Sequence, residues 1–167
     1  MKKIITINWT GYYSSEEVIE KACKGGSAKD NYSGEDYGLY QIYGPHILHS
    51  EEALLYVGQT VEQTFSGRMR QHFNDWIFGE PGLRIYLGRI ENEANDESWK
   101  LAVNIAEAIL VYKYVPNYNS CLKQQEPSLY EFSNVQLVHK GELGRLQAND
   151  LAPEDYEYKM PGRHPNS

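Results

Sequence analysis

Apolar and polar residues alternate along the first part of the chain in the period of two that is typical of a β-strand. This alternation predicts a strand over residues 2–9. Ser14 and Glu17 have the spacing of a capping box, so we expect a helix to begin there and to extend to about Lys24. The chain therefore opens with a strand followed by a short helix.

The central part of the chain contains the clearest strand patterns. Residues 38–43 and 53–58 predict two strands that a hairpin loop joins, and residues 83–90 predict a third. Each run is short and rich in aromatic and branched apolar residues, which favour pleated structure. We expect these three strands to form a small antiparallel sheet.

Two helices are predicted within the same region. Thr60 and Gln63 repeat the capping-box spacing, and the helix that follows is expected to extend to about Phe78. Ser98 is expected to cap a second helix, which Pro116 ends. The predicted buried stripe of the first helix consists of Phe65, Met69, Phe73 and Trp76.

The predicted elements correspond to an α+β fold in which a small central antiparallel sheet of three core strands is flanked by helices. Residues 37–122 form the central unit, residues 1–36 an N-terminal extension, and residues 123–167 a C-terminal extension. Within the C-terminal extension, residues 134–139 and 145–148 predict a further hairpin.

The composition is that of an ordinary globular domain. The chain has 167 residues, of which 41% are hydrophobic and 23% charged, and no apolar run is long enough for a membrane span. The two cysteines, Cys23 and Cys121, are isolated and form neither a zinc motif nor a disulfide framework. We therefore expect a cytoplasmic protein without a membrane partner.

The net charge of −7 limits how the chain could bind nucleic acid. Strong binding to duplex DNA without regard to sequence depends on the neutralisation of phosphates by many basic side chains. Neither extension is basic, and the central unit is not basic either. Any activity on nucleic acid must therefore come from a focused site.

Two short motifs lie on the predicted hairpin. They are Gly38-Leu39-Tyr40 and Tyr56-Val57-Gly58. In the order of the chain they are followed by Arg68, His72, Glu107 and Asn119. In these motifs, their order and their spacing, residues 37–122 resemble the GIY-YIG nuclease family.

This resemblance implies a divalent-metal-dependent phosphodiesterase that acts on duplex or branched DNA. It also implies a catalytic set of six residues, namely Tyr40, Tyr56, Arg68, His72, Glu107 and Asn119. Leu39 and Val57 stand where the family name has isoleucine, and both keep an apolar side chain. The chain has no obvious domain for DNA recognition, which many relatives carry.

Glu107 is the candidate ligand for Mg²⁺ or Mn²⁺. Magnesium prefers oxygen ligands and often takes only one or two carboxylates from the protein. The alternative is that Glu107 belongs to a solvated helix face, because Lys100 and Asn104 share its polar stripe. The family position favours the ligand role.

Arg68 and His72 are four residues apart and so lie on one face of the predicted helix. Arg68 could stabilise the charge of a phosphoryl transition state, and Arg70 points to a different face. His72 could accept a proton, because an ordinary imidazole titrates near neutrality. Alternatively, both are ordinary surface residues.

The two motif tyrosines are the candidate proton-transfer and positioning groups. We expect Tyr40 to act as general base with His72 relaying its proton, because an ordinary phenol is a poor base at neutral pH. Tyr56 would position the water or the phosphate, and Asn119 would hold the loop. The alternative for both tyrosines is cross-strand packing at the edge of the core. Alternation places Tyr43 on the face opposite to Tyr40.

Two other functions stay open at this point. The chain could be a non-catalytic module that binds nucleic acid or protein on the same fold, which its acidic charge favours. It could also carry out the same chemistry on RNA, because contacts to metal and phosphate do not distinguish the sugar. A homodimer is possible, since one active site cuts one strand.

Overall fold

A computed structural model describes residues 2–21, 37–46, 50–77, 80–91, 93–119 and 134–152. Within them, six strands, three helices and a π-helical turn make up the fold. The strands are β1 (Lys3–Tyr13), β2 (Gly38–His46), β3 (Ser50–Thr60), β4 (Arg84–Glu91), β5 (Val135–Gly141) and β6 (Asn149–Leu151). The helices are α1 (Ser15–Lys21), α2 (Phe65–His72) and α3 (Asp96–Tyr114), and the π-helical turn Phe73–Ile77 directly follows α2.

All six strands belong to a single mixed sheet in the order β3-β2-β4-β1-β5-β6. Neighbouring strands are antiparallel except β1 and β5, which are parallel. The α+β class is confirmed, but the sheet has twice the predicted number of strands. The difference arises because β1 pairs with β4, and β5 and β6 then continue the same sheet beyond it. Both predicted extensions thus contribute strands to the central sheet.

Alternation along β2 directs its side chains to two separate cores. Leu39 packs against α3 on one face of the sheet, while Tyr40 and Ile42 pack with Phe65 and Met69 of α2 on the other. Tyr43 lies on the α3 face, where its hydroxyl donates to Gln41 and accepts from the Arg145 N–H. The predicted opposite orientations of Tyr40 and Tyr43 are therefore confirmed.

The helix starts agree with the predicted capping signatures only in part. At α1 the capping box is present, with Ser14 N–H donating to Glu17 at 2.9 Å and Glu17 N–H donating to Ser14 at 3.2 Å. The predicted cap at Thr60 is wrong, because Thr60 ends β3 and its hydroxyl accepts from the Gly38 N–H. Thr64 caps α2 instead.

The start of α3 and the last strand also differ from the prediction by a few residues. Asn95 is the cap of α3, and Ser98 is the third residue of its first turn, where it completes a capping box. The last strand is Asn149–Leu151 rather than residues 145–148, because Gly144 and Arg145 form a turn. Cys23, Cys121 and the predicted helix ends at Lys24 and Phe78 lie outside the described residues.

β3 is an edge strand, and a β-bulge shapes it near the motif tyrosine. Ile42 pairs with Tyr56 and Tyr43 with Leu54, so Leu55 is an extra residue on the β3 side. The bulge turns both Leu55 and Tyr56 toward the face that carries Tyr40.

The chain beyond α3 returns to this edge. Val115 ends the helix in the left-handed conformation, with φ 45°. The N–H groups of Asn117 and Tyr118 then donate to the Leu54 and Leu55 carbonyls. The free edge of β3 is thereby covered in this region.

A buried polar network anchors β5 and β6 to β1 and α3. Trp9 Nε1 donates to His139 Nδ1 at 2.9 Å, and His139 Nε2 lies 3.1 Å from Asp150 Oδ2. Lys113 pairs with the same carboxylate, and the Tyr114 hydroxyl donates to it. Burial raises the pKa of Asp150, but its hydrogen bonds and charge interactions with His139 and Lys113 outweigh burial, so the pKa is lowered overall.

None of the described helices is long and apolar enough to cross a bilayer.

We expect Asp150→Asn to lower the free energy of unfolding by about 3 kcal/mol, because Lys113 and His139 lose their charged partner inside the protein. Since its folded pKa is depressed, Asp150 contributes stability that is present above about pH 4 and is lost as the pH falls further. Urea unfolding of wild type and variant across the acidic range measures both effects. The variant should lack the part of the acid slope that Asp150 provides.

Glu91→Gln is the matched control, because Glu91 pairs with Lys140 at the surface. An exposed ion pair contributes little, so we expect a change below about 1 kcal/mol. Equal losses in the two variants would contradict the role assigned to the Asp150 network.

Candidate active site

The Tyr40 phenol oxygen lies at the centre of a cluster of polar side chains. His72 Nε2 is 2.6 Å from this oxygen, and Arg68 Nε donates to it at 3.3 Å. Tyr40 is only 1% exposed, and His72 is also buried. α2 supplies both partners from one of its faces, as the four-residue spacing predicts, while Arg70 points to solvent.

Tyr56 completes this cluster from the neighbouring strand. Its ring stacks on the Tyr40 ring with 5.9 Å between centroids and an interplanar angle of 16°. It also meets the His72 ring edge-on at 5.0 Å. Burial lowers the pKa of Arg68, but the interactions with Tyr40 and Tyr56 outweigh burial, so this pKa is raised overall. Four predicted residues therefore touch one another although they come from three different elements.

Gly58 provides the space for the Tyr40 phenol. It is the cross-strand partner of Tyr40 on the edge strand β3. A Cβ atom at Gly58 would overlap the Tyr40 hydroxyl and come within 2.7 Å of Cε1 of Tyr56. The glycine of the second motif is thus required by the close approach of two tyrosines.

The environment shifts the pKa values of Tyr40 and His72 in opposite directions. Burial raises the pKa of Tyr40 above its ordinary value, the nearby Tyr56 and Glu107 add to this, and Arg68 opposes it. Burial, with a contribution from the Arg68 charge, lowers the pKa of His72 to about 4, and Asp75 opposes this. Both groups are consequently uncharged at neutral pH.

Glu107 lies on α3, the helix that packs against the opposite face of the sheet, close to β3. It is half-buried, and burial raises its pKa to about 7, which the Arg68 charge partly offsets. Its own charge contributes to the raised pKa of Tyr40. Glu107 is therefore near enough to perturb the cluster, and it does not lie on a fully solvated helix face.

Asn119 holds the backbone between the two motif residues of β3. Its Oδ1 accepts from the Val57 N–H at 2.9 Å, and its Nδ2 donates to the Val57 carbonyl at 2.7 Å. The side chain is buried and continues the hydrogen bonding of the edge strand. These contacts suit the holding role expected for Asn119.

Trp76 is a member of the cluster that the sequence pattern assigns only to a buried stripe. Its Nε1 donates to His72 Nδ1 at 2.9 Å, and its ring contacts those of Tyr56 and Tyr118. It follows His72 by four residues, which is the one sequence signal that could have linked the two side chains.

The donor set of the cluster suits a magnesium ion better than a transition metal. Within the described residues, no group of three or more His, Cys, Asp or Glu side chains is arranged to hold a metal ion. Magnesium can be bound through a single carboxylate, with waters and substrate phosphates as the other ligands. Glu107, a half-buried carboxylate, fits this requirement.

Comparison with known proteins returned no matching family model, no matching curated protein and no matching solved structure.

We expect Gly58→Ala to lower the free energy of unfolding by about 1–3 kcal/mol, because the added methyl group displaces the Tyr40 and Tyr56 rings. The near-ultraviolet circular dichroism of the stacked tyrosines should change with it. Gly67→Ala is the control, since a Cβ at this helical position finds ordinary contacts at 3.4 Å or more. A Gly58→Ala variant as stable as wild type would contradict the position of the Tyr40 phenol against Gly58.

Proposed function

We propose that this chain is a metal-dependent nuclease of the GIY-YIG type that hydrolyses phosphodiester bonds in DNA. The observation that carries the proposal is the set of direct contacts of the Tyr40 phenol oxygen with His72 and Arg68, within the electrostatic reach of Glu107. Tyr40 belongs to the first of the two motifs that resemble this family, and the other three residues follow the motifs in the order of the chain.

Simple packing of tyrosines at the core edge does not account for this cluster. A buried hydroxyl needs only one hydrogen-bond partner, whereas the Tyr40 oxygen has a guanidinium and an imidazole nitrogen against it. Glu107, on the helix that packs against the other face of the sheet, adds a half-buried carboxylate within electrostatic reach of these groups, and its charge is costly unless a cation compensates it. Such an arrangement destabilises the fold and is typical of functional sites.

Tyr40 is the proposed general base of the reaction. Two nitrogen atoms lie against its oxygen, and N–H groups directed at a phenol favour its deprotonated form. Burial opposes this effect, so the phenolate would form only when further positive charge enters the site. A water molecule beside the phenolate oxygen would then transfer its proton to Tyr40 as the water oxygen bonds to phosphorus. The bond from phosphorus to the leaving 3′-oxygen breaks in the same step, and that oxygen takes a proton from solvent.

Arg68 is the proposed stabiliser of charge on the phosphate. Its Nε lies against Tyr40 and its Nη1 donates to Gln71 at 2.9 Å, so the guanidinium is held in one orientation. A fixed, permanently charged fork is suited to phosphate oxygens and to the charge that develops on them.

Glu107 is the proposed ligand of a magnesium ion. When bound there, magnesium would polarise a phosphoryl oxygen and balance negative charge in the transition state. The cation would also balance the charge of the half-buried Glu107 carboxylate, and this favours binding of the cation. Tyr56 would then orient the water or the phosphate from the side of β3.

The proposed substrate is DNA bound mainly at the site itself. With a net charge of −7, the chain has little capacity to neutralise a long stretch of duplex backbone. A few close contacts to one scissile phosphate, including those from Arg68, are compatible with this charge.

We expect Tyr40→Phe to reduce the rate of DNA cleavage by about 100-fold or more, which is the usual contribution of a general base. Tyr43→Phe is the matched control: it removes a hydroxyl from the same strand on the opposite face and should leave the rate unchanged. Rates are measured on plasmid and on branched DNA with Mg²⁺. Equal rates for wild type and Tyr40→Phe would contradict the assignment.

We expect Glu107→Gln to reduce Mg²⁺-dependent cleavage by about 100-fold or more, because the metal loses its charged ligand. Since protons and metal compete for a carboxylate with a pKa of about 7, the apparent affinity for Mg²⁺ should increase as the pH rises through neutrality. Binding is measured by calorimetry and cleavage on matched DNA and RNA substrates, with EDTA as the metal-free arm.

Glu97→Gln is the control on the same helix, because Glu97 is exposed in the first turn of α3. It should bind Mg²⁺ and cleave as wild type does. Binding of DNA without any metal-dependent cleavage would instead support a non-catalytic module, and cleavage of RNA alone would reassign the substrate.

A further inference from the structure

The direction of the hydrogen bond between His72 and Tyr40 can be derived from Trp76. An indole N–H can only donate a hydrogen bond. Because Trp76 Nε1 lies 2.9 Å from His72 Nδ1, this imidazole nitrogen must accept and therefore carries no proton. Trp76 thus determines the protonation of one nitrogen of the ring.

The other imidazole nitrogen must then carry the proton. A neutral imidazole has one N–H, and here only Nε2 remains to hold it. Nε2 lies 2.6 Å from the Tyr40 oxygen, so this N–H donates to the phenol. Burial and the Arg68 charge keep the ring neutral at physiological pH. The groups that face His72 are Tyr40, Tyr56, Arg68, Asp75 and Trp76.

We propose that Trp76 is a positioning residue that fixes His72 as a permanent N–H donor to the Tyr40 phenol oxygen. The tautomer follows from the geometry alone, and its consequence for catalysis rests on the proposed nuclease function. In this arrangement His72 and Arg68 both direct N–H groups at one oxygen and together favour its deprotonated form.

This assignment replaces the proton relay through His72 that the sequence suggests. A relay needs a bare Nε2 that can take the proton from Tyr40, and the bond from Trp76 leaves the lone pair on the other nitrogen. The phenol proton must therefore point away from both donors, and when the phenolate forms this proton passes to water and not to His72. His72 holds the phenol oxygen in place and does not titrate during the reaction.

The surroundings of Trp76 hold the indole in the required orientation. The residue lies in the π-helical turn that follows α2, four residues after His72. Its ring packs against Tyr118 at 5.1 Å and against Tyr56 at 5.9 Å between centroids. Tyr118 belongs to the segment that covers the β3 edge, so three parts of the chain contribute to this orientation.

The first experiment measures the tautomer in the wild-type protein by long-range ¹H–¹⁵N correlation spectroscopy, which reports the protonation of each imidazole nitrogen. We expect His72 to be neutral with its proton on Nε2 from pH 8 down to pH 6. A proton on Nδ1 at neutral pH would overturn the proposal, irrespective of any activity.

The second experiment compares Trp76→Phe with Tyr118→Leu. Trp76→Phe keeps an aromatic ring but removes the N–H, so the Nδ1–H tautomer should become populated and cleavage should slow by about tenfold or more, as when the partner that orients a functional histidine is removed. Tyr118→Leu removes one of the two rings that pack on Trp76 but keeps Tyr56 and the indole N–H, so the wild-type tautomer should stay the major one and the rate should fall much less than in Trp76→Phe.

An unchanged tautomer or an unchanged rate in Trp76→Phe, with its fold verified by circular dichroism, would overturn the proposal. The same holds if Tyr118→Leu reproduces the effects of Trp76→Phe, because packing would then explain them. If the wild-type protein cleaves no nucleic acid while the tautomer behaves as described, the nuclease function fails and the tautomer assignment stands.

Discussion

The candidate site depends on a close approach between two neighbouring strands, where the Tyr40 phenol lies in the space that a side chain at position 58 would fill. Because Gly58 pairs with Tyr40 and lacks a Cβ, the phenol oxygen can lie above the backbone of the edge strand. Only there is it within reach of α2, whose His72 and Arg68 contact it. The register of one strand pair thus determines which polar groups can meet.

Burial gives this cluster its electrostatic character. Arg68 is the shared positive charge: it opposes the rise in the pKa of Tyr40 and of Glu107, and it adds to burial in lowering the pKa of His72. One guanidinium cannot satisfy a half-buried carboxylate and also favour a phenolate. A deprotonated Glu107 together with a deprotonated Tyr40 would exceed the charge of Arg68, and a divalent cation at the single carboxylate is the compensation that we propose.

The sequence predicts most of the elements but little of how they assemble. The order of strands and helices and the Ser14–Glu17 capping box are local properties, and both are confirmed. The size of the sheet is not local, because it depends on parallel pairing of β1 with β5 across more than a hundred residues. The spacing at Thr60 indicates a helix cap, because spacing does not reveal that the Thr60 hydroxyl accepts a hydrogen bond from the Gly38 N–H across the strand pair.

The same limit applies to the site. Residue type and order predict that Tyr40, Arg68 and His72 share one site, and the structure brings these three side chains into contact. The contacts of Gly58 and Trp76 could not be predicted, since one depends on a distance across strands and the other on the direction of a hydrogen bond. The position of the proton on His72 in particular depends on hydrogen-bond partners that meet only in the folded chain.

The described residues contain a second Trp–His pair. One pair belongs to a buried structural network and the other to the candidate site. Trp9 donates to His139 Nδ1 just as Trp76 donates to His72 Nδ1. The second ring nitrogen of His139 contacts the Asp150 carboxylate. The same carboxylate pairs with Lys113 and accepts from the Tyr114 hydroxyl, so its oxygens find their partners within the protein. His72 ends on a phenol, which still has an O–H to donate after accepting from two partners. The group that accepts from each histidine therefore determines whether the network has a hydrogen bond left for a further molecule.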